Sequence, residues 1–528
     1  MTAPDILAEL DKAAELAAEP PRKENPVLKL AGAMRESFRF VHEAGRWYAV
    51  PLESAWDNGI HARPGIATGK AEMRRIIVQY GRSEKIAVVT GTMADTVLLQ
   101  LEADAFAGHE TPLALRFRHE PGRVVLDLGR PDGKCVIITA SGWKVEPVPH
   151  DVTFRRTHAV KPLPEPERQP GVTMASLAGV LALDPDGGAF RCMAGWVAGL
   201  AFAGDDRPGL LLTGAPGSAK STRLRLAASV AEPSGTDALG GAFGRNHGDD
   251  EVRALRRAVP LYDNVSAVSG TTSDLLCTIV TGTAREGRLL YSNDDMSTAE
   301  IKRPIGMTAV ATPAGLRPDA LRRLIICEVE PPARMLGDAT VQAAFDAVHP
   351  GLLAAWCDAV AAVLAWLPYV PPPGGYHGVP AHAHVLAALD AAVARGDLPG
   401  WPGGLLDAYA ANARQVRQQV ASDDVLGSAL LALLARRPVA WTGTEAGRMF
   451  EFREWKGTAK ELLDVLNMSA TLADQRAPGW PATPRAMPPL LKQLAGPLSE
   501  VGLICKTRSL DGRTRWEFTL GSEKQDGA

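Results

Sequence analysis

The sequence predicts an α/β protein. Its core is built around a phosphate-binding loop (P-loop), with a mixed α/β domain before it and a helical region and winged helix after it. Three observations carry this prediction. An apolar strand runs into a glycine-rich turn and then a helical stretch over residues 210–230. A second apolar strand ends in Asp263. Near the C-terminus, two helical stretches precede a strand–turn–strand segment with local basic charge.

Length and composition set limits on the class of protein. The 528 residues suggest three or four domains, and a hydrophobic content of 46% is ordinary for a globular chain. We expect a cytoplasmic protein without a membrane partner, because no run approaches the roughly 18 apolar residues of a membrane span. The charged N-terminus also lacks a signal-peptide core. Six dispersed cysteines favour reduced thiols, and the net charge of −3 restricts DNA binding to local basic surfaces.

Changes in composition divide the chain into six predicted segments. Proline-rich stretches and turn residues mark the boundaries, and apolar strand patterns distinguish the first large domain from the alanine-rich helical region. The predicted strands of that first domain are Lys85–Thr90, Leu113–Phe117, Arg123–Leu128 and Cys135–Thr139. The segments are an N-terminal helical piece (1–30), a mixed α/β domain (31–160), a proline-rich linker (161–170), the P-loop domain (171–335), a helical domain (336–440) and a winged helix (445–520).

The glycine-rich turn is predicted to bind the phosphates of ATP. Backbone N–H groups at a helix N-terminus attract anions, Lys220 would reach the β- and γ-phosphates, and Ser221 would hold Mg²⁺. A chance turn before a helix is the alternative. Alanine replaces the usual glycine before the lysine, and we expect Ala219 to fit helical dihedrals there. The predicted nucleotide-binding residues are Gly214, Ala215, Pro216, Gly217, Ser218, Ala219, Lys220, Ser221 and Thr222.

The strand that ends in Asp263 is predicted to supply the second nucleotide motif. A carboxylate at the C-terminal end of a strand can bind Mg²⁺ through water, so Asp263 and Ser221 form the predicted metal pair. The next residue is Asn264, where many such ATPases carry a glutamate that polarises water. Asparagine can orient a water molecule but cannot act as a general base, which points to slow hydrolysis.

A hairpin, a further strand and a group of arginines follow. We predict hairpin strands at Leu289–Ser292 and Ser297–Lys302, then a buried strand at Ile305–Ala311. Thr308 lies near the end of that strand, where a polar residue could sense the γ-phosphate. Arginines just after it suit a finger that reaches a neighbouring nucleotide; in isolation a solvated helix face would explain them better, but the two preceding nucleotide motifs favour the finger. These arginines are Arg317, Arg322 and Arg323.

These residues resemble a known family. The run from DNVS through GTAREGRLLYSNDD and KRPIGMTAVAT to LRPDALRR is similar to the ATPase core of primase–helicase-type proteins of plasmids, phages and integrated elements. Those are AAA+ proteins close to superfamily-three helicases. The segment before the core and the C-terminal segment from Trp455 to Thr507 also resemble the family. The resemblance extends from about residue 100 to the end of the chain.

The resemblance implies a role for each matching position. Lys220 and Ser221 match Walker A, Asp263 matches Walker B, and Thr308 falls at sensor one, where the family usually has asparagine. Arg323 matches the finger position best. The hairpin would be a pore loop that grips DNA in a hexamer, with Arg285, Arg288 and Lys302 in or beside it. The chain before the core is too short for a polymerase-type primase domain, so we expect no priming activity.

The C-terminal segment is predicted to bind DNA. Between residues 476 and 515 it carries seven Lys or Arg residues against two acids. Helical stretches at Thr458–Asn467 and Thr483–Val501 precede strands at Ile504–Thr507 and Thr514–Leu520, which is the layout of a winged helix. A small packing domain with a solvated basic face is the alternative. The predicted contact residues are Arg485, Lys492, Lys506, Arg508 and Arg513.

The leading interpretation is therefore an ATP-dependent DNA motor of a mobile element. It would form a ring, expected to be a hexamer, use ATP and Mg²⁺, and bind single-stranded DNA or origin duplex. A second hypothesis is a nucleotide-regulated DNA-binding scaffold with weak ATPase activity, which Ala219, Asn264 and Thr308 favour. A third is an ATPase of anti-phage defence, because such cores are reused there.

Overall fold

A computed structural model describes residues 25–523, apart from 44, 53–64, 84–87, 158–159, 203–205, 234–242, 244–246, 283, 289–295, 301, 375–377, 439, 444–448, 478 and 511–512. The chain is a mixed α/β protein. Its first unit is a sheet of order β1-β2-β3-β8 with three helices. Asn25 caps the first of these helices, and Pro26 sits in its first turn. The elements are α1 (Pro26–Ser37), β1 (Phe38–Glu43), β2 (Arg46–Pro51), β3 (Ile66–Gly69), α2 (Lys70–Ser83) and α3 (Gly91–Ala107).

A second sheet is an antiparallel meander that leads back to the first. Two predicted strands differ from the structure. Residues 88–90 lead into α3 with Thr90 as its cap, residues 84–87 lie outside the described part, and the strand placed at Leu113 begins only at Phe117. The other two predicted strands lie within one residue of the observed ones. The elements are β4 (Phe117–Glu120), β5 (Arg123–Asp127), β6 (Lys134–Thr139), β7 (Gly142–Pro147) and β8 (Phe154–Arg155).

The meander packs onto the rest of the protein through the largest hydrophobic core. Val124 and Leu126 of β5 belong to the same buried cluster as Trp196 and Trp356. A buried ion pair crosses the same boundary, because Arg116 Nε lies 2.6 Å from a carboxylate oxygen of Glu232 and both side chains are almost completely buried. Arg116 also donates to the backbone oxygens of Asp127 and Lys161.

The central sheet is parallel and has the order β10-β13-β9-β14. Every residue of β9 is buried, as expected of a strand covered on both faces. The predicted strand at Ile305–Ala311 is shorter in the structure. The elements are α4 (Met174–Val180), α5 (Gly188–Gly199), β9 (Gly209–Thr213), α6 (Lys220–Ser229), α7 (His247–Arg256), β10 (Leu261–Tyr262), α8 (Gly270–Thr281), β11 (Ala284–Arg288), β12 (Met296–Glu300), β13 (Gly306–Thr308), α9 (Pro318–Leu321) and β14 (Leu324–Glu328).

Four helices follow the central sheet, as the alanine-rich pattern predicts. The longest of them is long and apolar enough to cross a membrane by length and composition. Its most apolar window is 67% buried within the protein, however, which is also the behaviour of a core helix. Among the described residues it is the one helix that meets that test. The helices are α10 (Asp338–Trp366), α11 (Pro380–Arg395), α12 (Leu405–Asp423) and α13 (Val425–Ala435).

The C-terminal unit contains three helices and a four-stranded antiparallel sheet of order β15-β16-β18-β17. Thr458 and Glu461 form a reciprocal capping box that begins the first helix. Leu466, Leu491 and Phe518 belong to a separate buried core. The elements are β15 (Ala440–Gly443), β16 (Met449–Thr458), α14 (Ala459–Ser469), α15 (Leu472–Arg476), α16 (Met487–Glu500), β17 (Leu503–Leu510) and β18 (Arg513–Glu523).

Candidate functional site

The loop between β9 and α6 turns sharply through three left-handed or glycine-only conformations. Gly214 has φ +147°, and a Cβ there would lie 2.3 Å from the backbone oxygen of Val329. Gly217 has φ +84°. Ala219 has φ +53° and ψ +26°, so the expectation of helical dihedrals at this position is wrong. The usual glycine is replaced where its freedom is most useful, and the alanine carries the strain of a left-handed residue.

Lys220 folds back onto the loop. Its Nζ donates to the backbone oxygens of Gly214 at 2.7 Å and Ala215 at 2.9 Å, and lies 3.2 Å from the Ser218 hydroxyl. Partial burial lowers the pKa of this ammonium, and the nearby charge of Asp263 opposes that shift. The lysine is therefore held over the concave side of the loop by groups that an incoming anion can replace.

Ser221, Asp263 and Thr308 converge at the carboxyl edge of the parallel sheet. The Ser221 hydroxyl donates to Asp263 Oδ1 across 2.6 Å, and the Thr308 hydroxyl donates to the same oxygen across 2.5 Å. Strand β13 lies between β9 and β10, which places Thr308 between the other two residues. A carboxylate and a hydroxyl are oxygen donors, the ligand type that Mg²⁺ prefers, so this pair fits the predicted metal.

Thr308 holds the Asp263 carboxylate in place through its hydroxyl group. Its side chain is buried, and its hydroxyl also accepts a 3.0 Å hydrogen bond from the backbone N–H of Asn264. That bond holds Asn264 at φ +53°, a conformation that asparagine tolerates better than most residues. Asn264 itself is exposed. In this arrangement Thr308 orients Asp263, and its role as a sensor of the γ-phosphate stays a prediction.

Sequence reasoning missed Arg223, which fastens the loop to its surroundings. The guanidinium is buried and donates to four backbone oxygens: Ser218 at 2.9 Å, Glu330 at 2.7 Å, Leu181 at 2.8 Å and Ala182 at 2.9 Å. Burial lowers its pKa. The one sequence signal for a buried Arg223 was its position three residues after Lys220, on a helix face that is otherwise mostly apolar. That position does not reveal four carbonyl partners from distant segments.

Arg323, the predicted arginine finger, is held by contacts within its own chain. Arg323 is 19% exposed; its Nη1 pairs with the Asp319 carboxylate and lies 3.8 Å from the Cys277 sulfur. Arg322 is 57% exposed and lies 3.2 Å from Asp319, and Arg317 forms a two-pronged pair with Asp274. A finger role for Arg323 would require its ion pair with Asp319 to open, and that role stays a prediction.

An antiparallel hairpin lies in the predicted region of the chain. β11 pairs antiparallel with β12, from Ala284 opposite Glu300 to Arg288 opposite Met296. The predicted first strand, Leu289–Ser292, lies outside the described residues, as do residues 293–295. Arg285 and Arg288 lie on β11, but their side chains are outside the description. Lys302 follows the hairpin and pairs with Asp206 at 2.8 Å.

The predicted DNA-contact residues of the C-terminal unit lie on two elements. Arg485 and Lys492 are exposed just before and within α16. Lys506 and Arg508 alternate on the exposed face of β17, where Arg508 stands directly opposite Arg515 of β18. Two arginines that lie opposite each other on neighbouring strands repel each other, so a bound anion would relieve this repulsion. The side chain of Arg513 lies outside the described part.

In comparisons with known proteins, two parts of the chain match family models. Residues 188–410 match the model of the actinomycete integrative conjugative element replication protein, and residues 426–525 match the C-terminal domain of the same replication protein. Two solved structures, both titled as apo A forms of the C-terminal region of NrS-1, align with 94% of this chain and 99% of theirs. Their identities are 12% and 11%, with TM-scores of 0.36 and 0.37. No curated protein sequence matches.

Proposed function

The chain carries both domains of the actinomycete integrative conjugative element replication protein, and from this premise we propose that it is an ATP-driven DNA translocase or helicase of such an element. The proposal assigns it an AAA+ core with a P-loop and a C-terminal winged helix. In it, Lys220, Ser221 and Asp263 bind Mg²⁺ and the triphosphate. The family match supports a role in DNA replication.

The contact between Ser221 and Asp263 carries the nucleotide part of the proposal. Two residues 42 positions apart meet at 2.6 Å beside a loop whose lysine points inward. A buried strand that ends in an aspartate is common, and a glycine-rich turn before a helix is common. Their convergence on one oxygen-rich point at the edge of a parallel sheet is much less common, and ligands bind at such edges.

The DNA part rests on two separate surfaces. The β11–β12 hairpin carries two arginines on one strand and is followed by Lys302. The C-terminal sheet presents Lys506, Arg508 and Arg515 on its exposed face. We propose that the hairpins of a ring, expected to be hexameric, contact single-stranded DNA and that the C-terminal unit binds duplex.

Steady-state ATP hydrolysis with and without single-stranded DNA tests the proposal. We expect measurable Mg²⁺-dependent turnover that DNA increases, loss of turnover in Lys220→Ala, and normal turnover in Lys144→Ala, which changes an exposed lysine of β7. Electron microscopy with a non-hydrolysable ATP analogue and DNA should show rings. Absence of nucleotide binding in the folded protein would overturn the proposal.

A nucleotide-regulated DNA-binding scaffold is the second candidate, and Asn264 favours it. This exposed amide occupies the position beside Asp263 where a general base would act, and an amide cannot accept the proton. The same assay separates the two candidates. A scaffold would bind ATP with Lys220-dependent affinity, hydrolyse it very slowly, and show no increase with DNA.

A further inference from the structure

An exposed segment runs beside the P-loop and carries two large apolar side chains. Residues 330–337 connect β14 to α10, and every one of them except Pro332 is exposed. Met335 is 63% exposed and Leu336 is 47% exposed. Single exposed apolar residues are ordinary, but an adjacent pair next to a predicted ligand site indicates a surface that a ligand covers.

Hydrogen bonds fix both ends of this segment against the loop. At its start, Val329 N–H donates to the Thr213 backbone oxygen at 2.8 Å, and the Glu330 backbone oxygen accepts from Arg223 at 2.7 Å. At its end, the Thr222 hydroxyl lies 3.5 Å from the Asp338 carboxylate. The segment therefore passes from the end of β9 to the first turn of α6.

The sheet order determines which end of a bound nucleotide faces this segment. Asp263 follows β10 and Thr308 is the last residue of β13, both on one side of β9, whereas β14 lies on the other side. A metal held by Ser221 and Asp263 would draw the phosphates that it binds towards the β13 side of β9. The remainder of the nucleotide would then lie on the opposite side, past Thr222 and towards residues 330–337.

We propose that Met335 and Leu336 form the seat for the base of the bound nucleoside triphosphate, an inference that rests on the proposed nucleotide-binding function. A flat aromatic base covers apolar side chains, and a methionine thioether makes favourable contacts with aromatic rings. Apolar contact reads the face of the base and not its edge, so the seat itself discriminates weakly between adenine and guanine.

Calorimetric titration with two ligands tests the seat. Mg·ATP carries a base, whereas Mg·tripolyphosphate offers the phosphates alone. The double variant Met335→Ala/Leu336→Ala should bind ATP at least tenfold more weakly than the wild type and tripolyphosphate equally well. Met335→Leu, which keeps the apolar volume, should stay within about threefold for ATP. Leu472→Ala, which truncates an exposed leucine 72% accessible on α15, serves as the control and should change neither affinity.

The outcomes separate the two claims. If the double variant retains wild-type ATP affinity while Lys220→Ala loses it, the base seat is wrong and the proposed function stands. If the double variant loses tripolyphosphate and ATP equally, the two residues support the loop and do not contact a base, which also overturns the seat. If the folded wild type binds neither ligand, the proposed function fails, and the seat fails with it.

Discussion

The Ser221 hydroxyl and the Asp263 carboxylate are joined by a 2.6 Å hydrogen bond that links the first turn of α6 to the end of β10. Thr308 donates to the same carboxylate oxygen from β13. Three segments far apart in the sequence therefore meet at one oxygen atom. The negative charge at that point is where a divalent cation that bridges to a triphosphate would need it.

Asp263→Asn should separate metal binding from folding. The amide keeps an oxygen that can accept from Ser221 and Thr308, so we expect the free energy of unfolding to change by less than about 1 kcal/mol. The charge that holds Mg²⁺ is lost, so ATP hydrolysis should fall at least 100-fold and nucleotide affinity should no longer depend on Mg²⁺. Hydrolysis assays and calorimetry measure both effects. Asp186→Asn, at an 84% exposed carboxylate, is the control.

Ala219→Gly should relieve the left-handed backbone before Lys220. Alanine costs about 1–2 kcal/mol in this conformation, and glycine removes that cost. Glycine also raises the conformational entropy of the unfolded chain, which offsets roughly half of the stabilisation. We expect a net stabilisation of about 0.5–1 kcal/mol in urea unfolding, with ATP affinity retained or improved. Ala219→Val should act in the opposite direction, because a β-branched residue suits this conformation poorly. A glycine variant less stable than the wild type would contradict the strain.

Arg223→Leu should destabilise the loop more than a change two residues further along the same helix. Removing the guanidinium leaves the backbone oxygens of Ser218, Glu330, Leu181 and Ala182 without this donor, at a cost of about 2–4 kcal/mol. Arg225→Leu is the matched control, because Arg225 is only half-buried and bonds to Gln342. Thermal unfolding and ATP affinity should both decline for Arg223→Leu and change little for the control.

These positions show which parts of the site the sequence could reveal. The strand, loop and helix at 209–229 are neighbours along the chain, so local pattern was enough to find them. The conformation of Ala219 was mispredicted because helical dihedrals were assumed one residue too early. Arg223 was missed because its partners come from the segment after α4, from the loop and from the segment after β14.

Acidification should destabilise the protein through two buried histidines. Burial, and secondarily Arg207, hold the pKa of His382 well below 6.5, and burial lowers the pKa of His349. The unfolded chain then takes up protons below about pH 6.5 that the folded protein does not. Stability is therefore complete above that pH and falls as the pH drops towards the folded-state values, by up to about 1.4 kcal/mol per unit for each histidine.

His382→Leu should remove about half of that pH dependence. The measurement is urea unfolding of the wild type and the variant at pH 7.5 and pH 5.5, with the difference between the two pH values compared. The absolute stability of the variant does not enter the comparison. An identical pH dependence in both proteins would show that His382 titrates normally in the folded state.

Arg508→Gln should weaken duplex DNA binding in a salt-dependent manner. Arg508 is 76% exposed and lies 3.8 Å from Glu517, so its charge is largely available to a phosphate. Loss of one phosphate contact should reduce the slope of log affinity against log salt by about 0.9. Fluorescence anisotropy at several salt concentrations measures this slope. Lys144→Gln, on the distant meander, should leave it unchanged, and an unchanged slope for Arg508→Gln would remove β17 from the interface.

The ion pair between Arg116 and Glu232 has a practical consequence for dissecting the protein. The family match begins at residue 188 and the proline-rich linker lies at 161–170, so both invite a truncation that starts there. Such a fragment would remove the guanidinium that pairs with the buried Glu232 carboxylate and would expose the apolar surface that the meander covers. Fragments designed for crystallisation or for isolated biochemistry should therefore begin upstream of Arg116, so that this ion pair and the apolar contact with the meander stay intact.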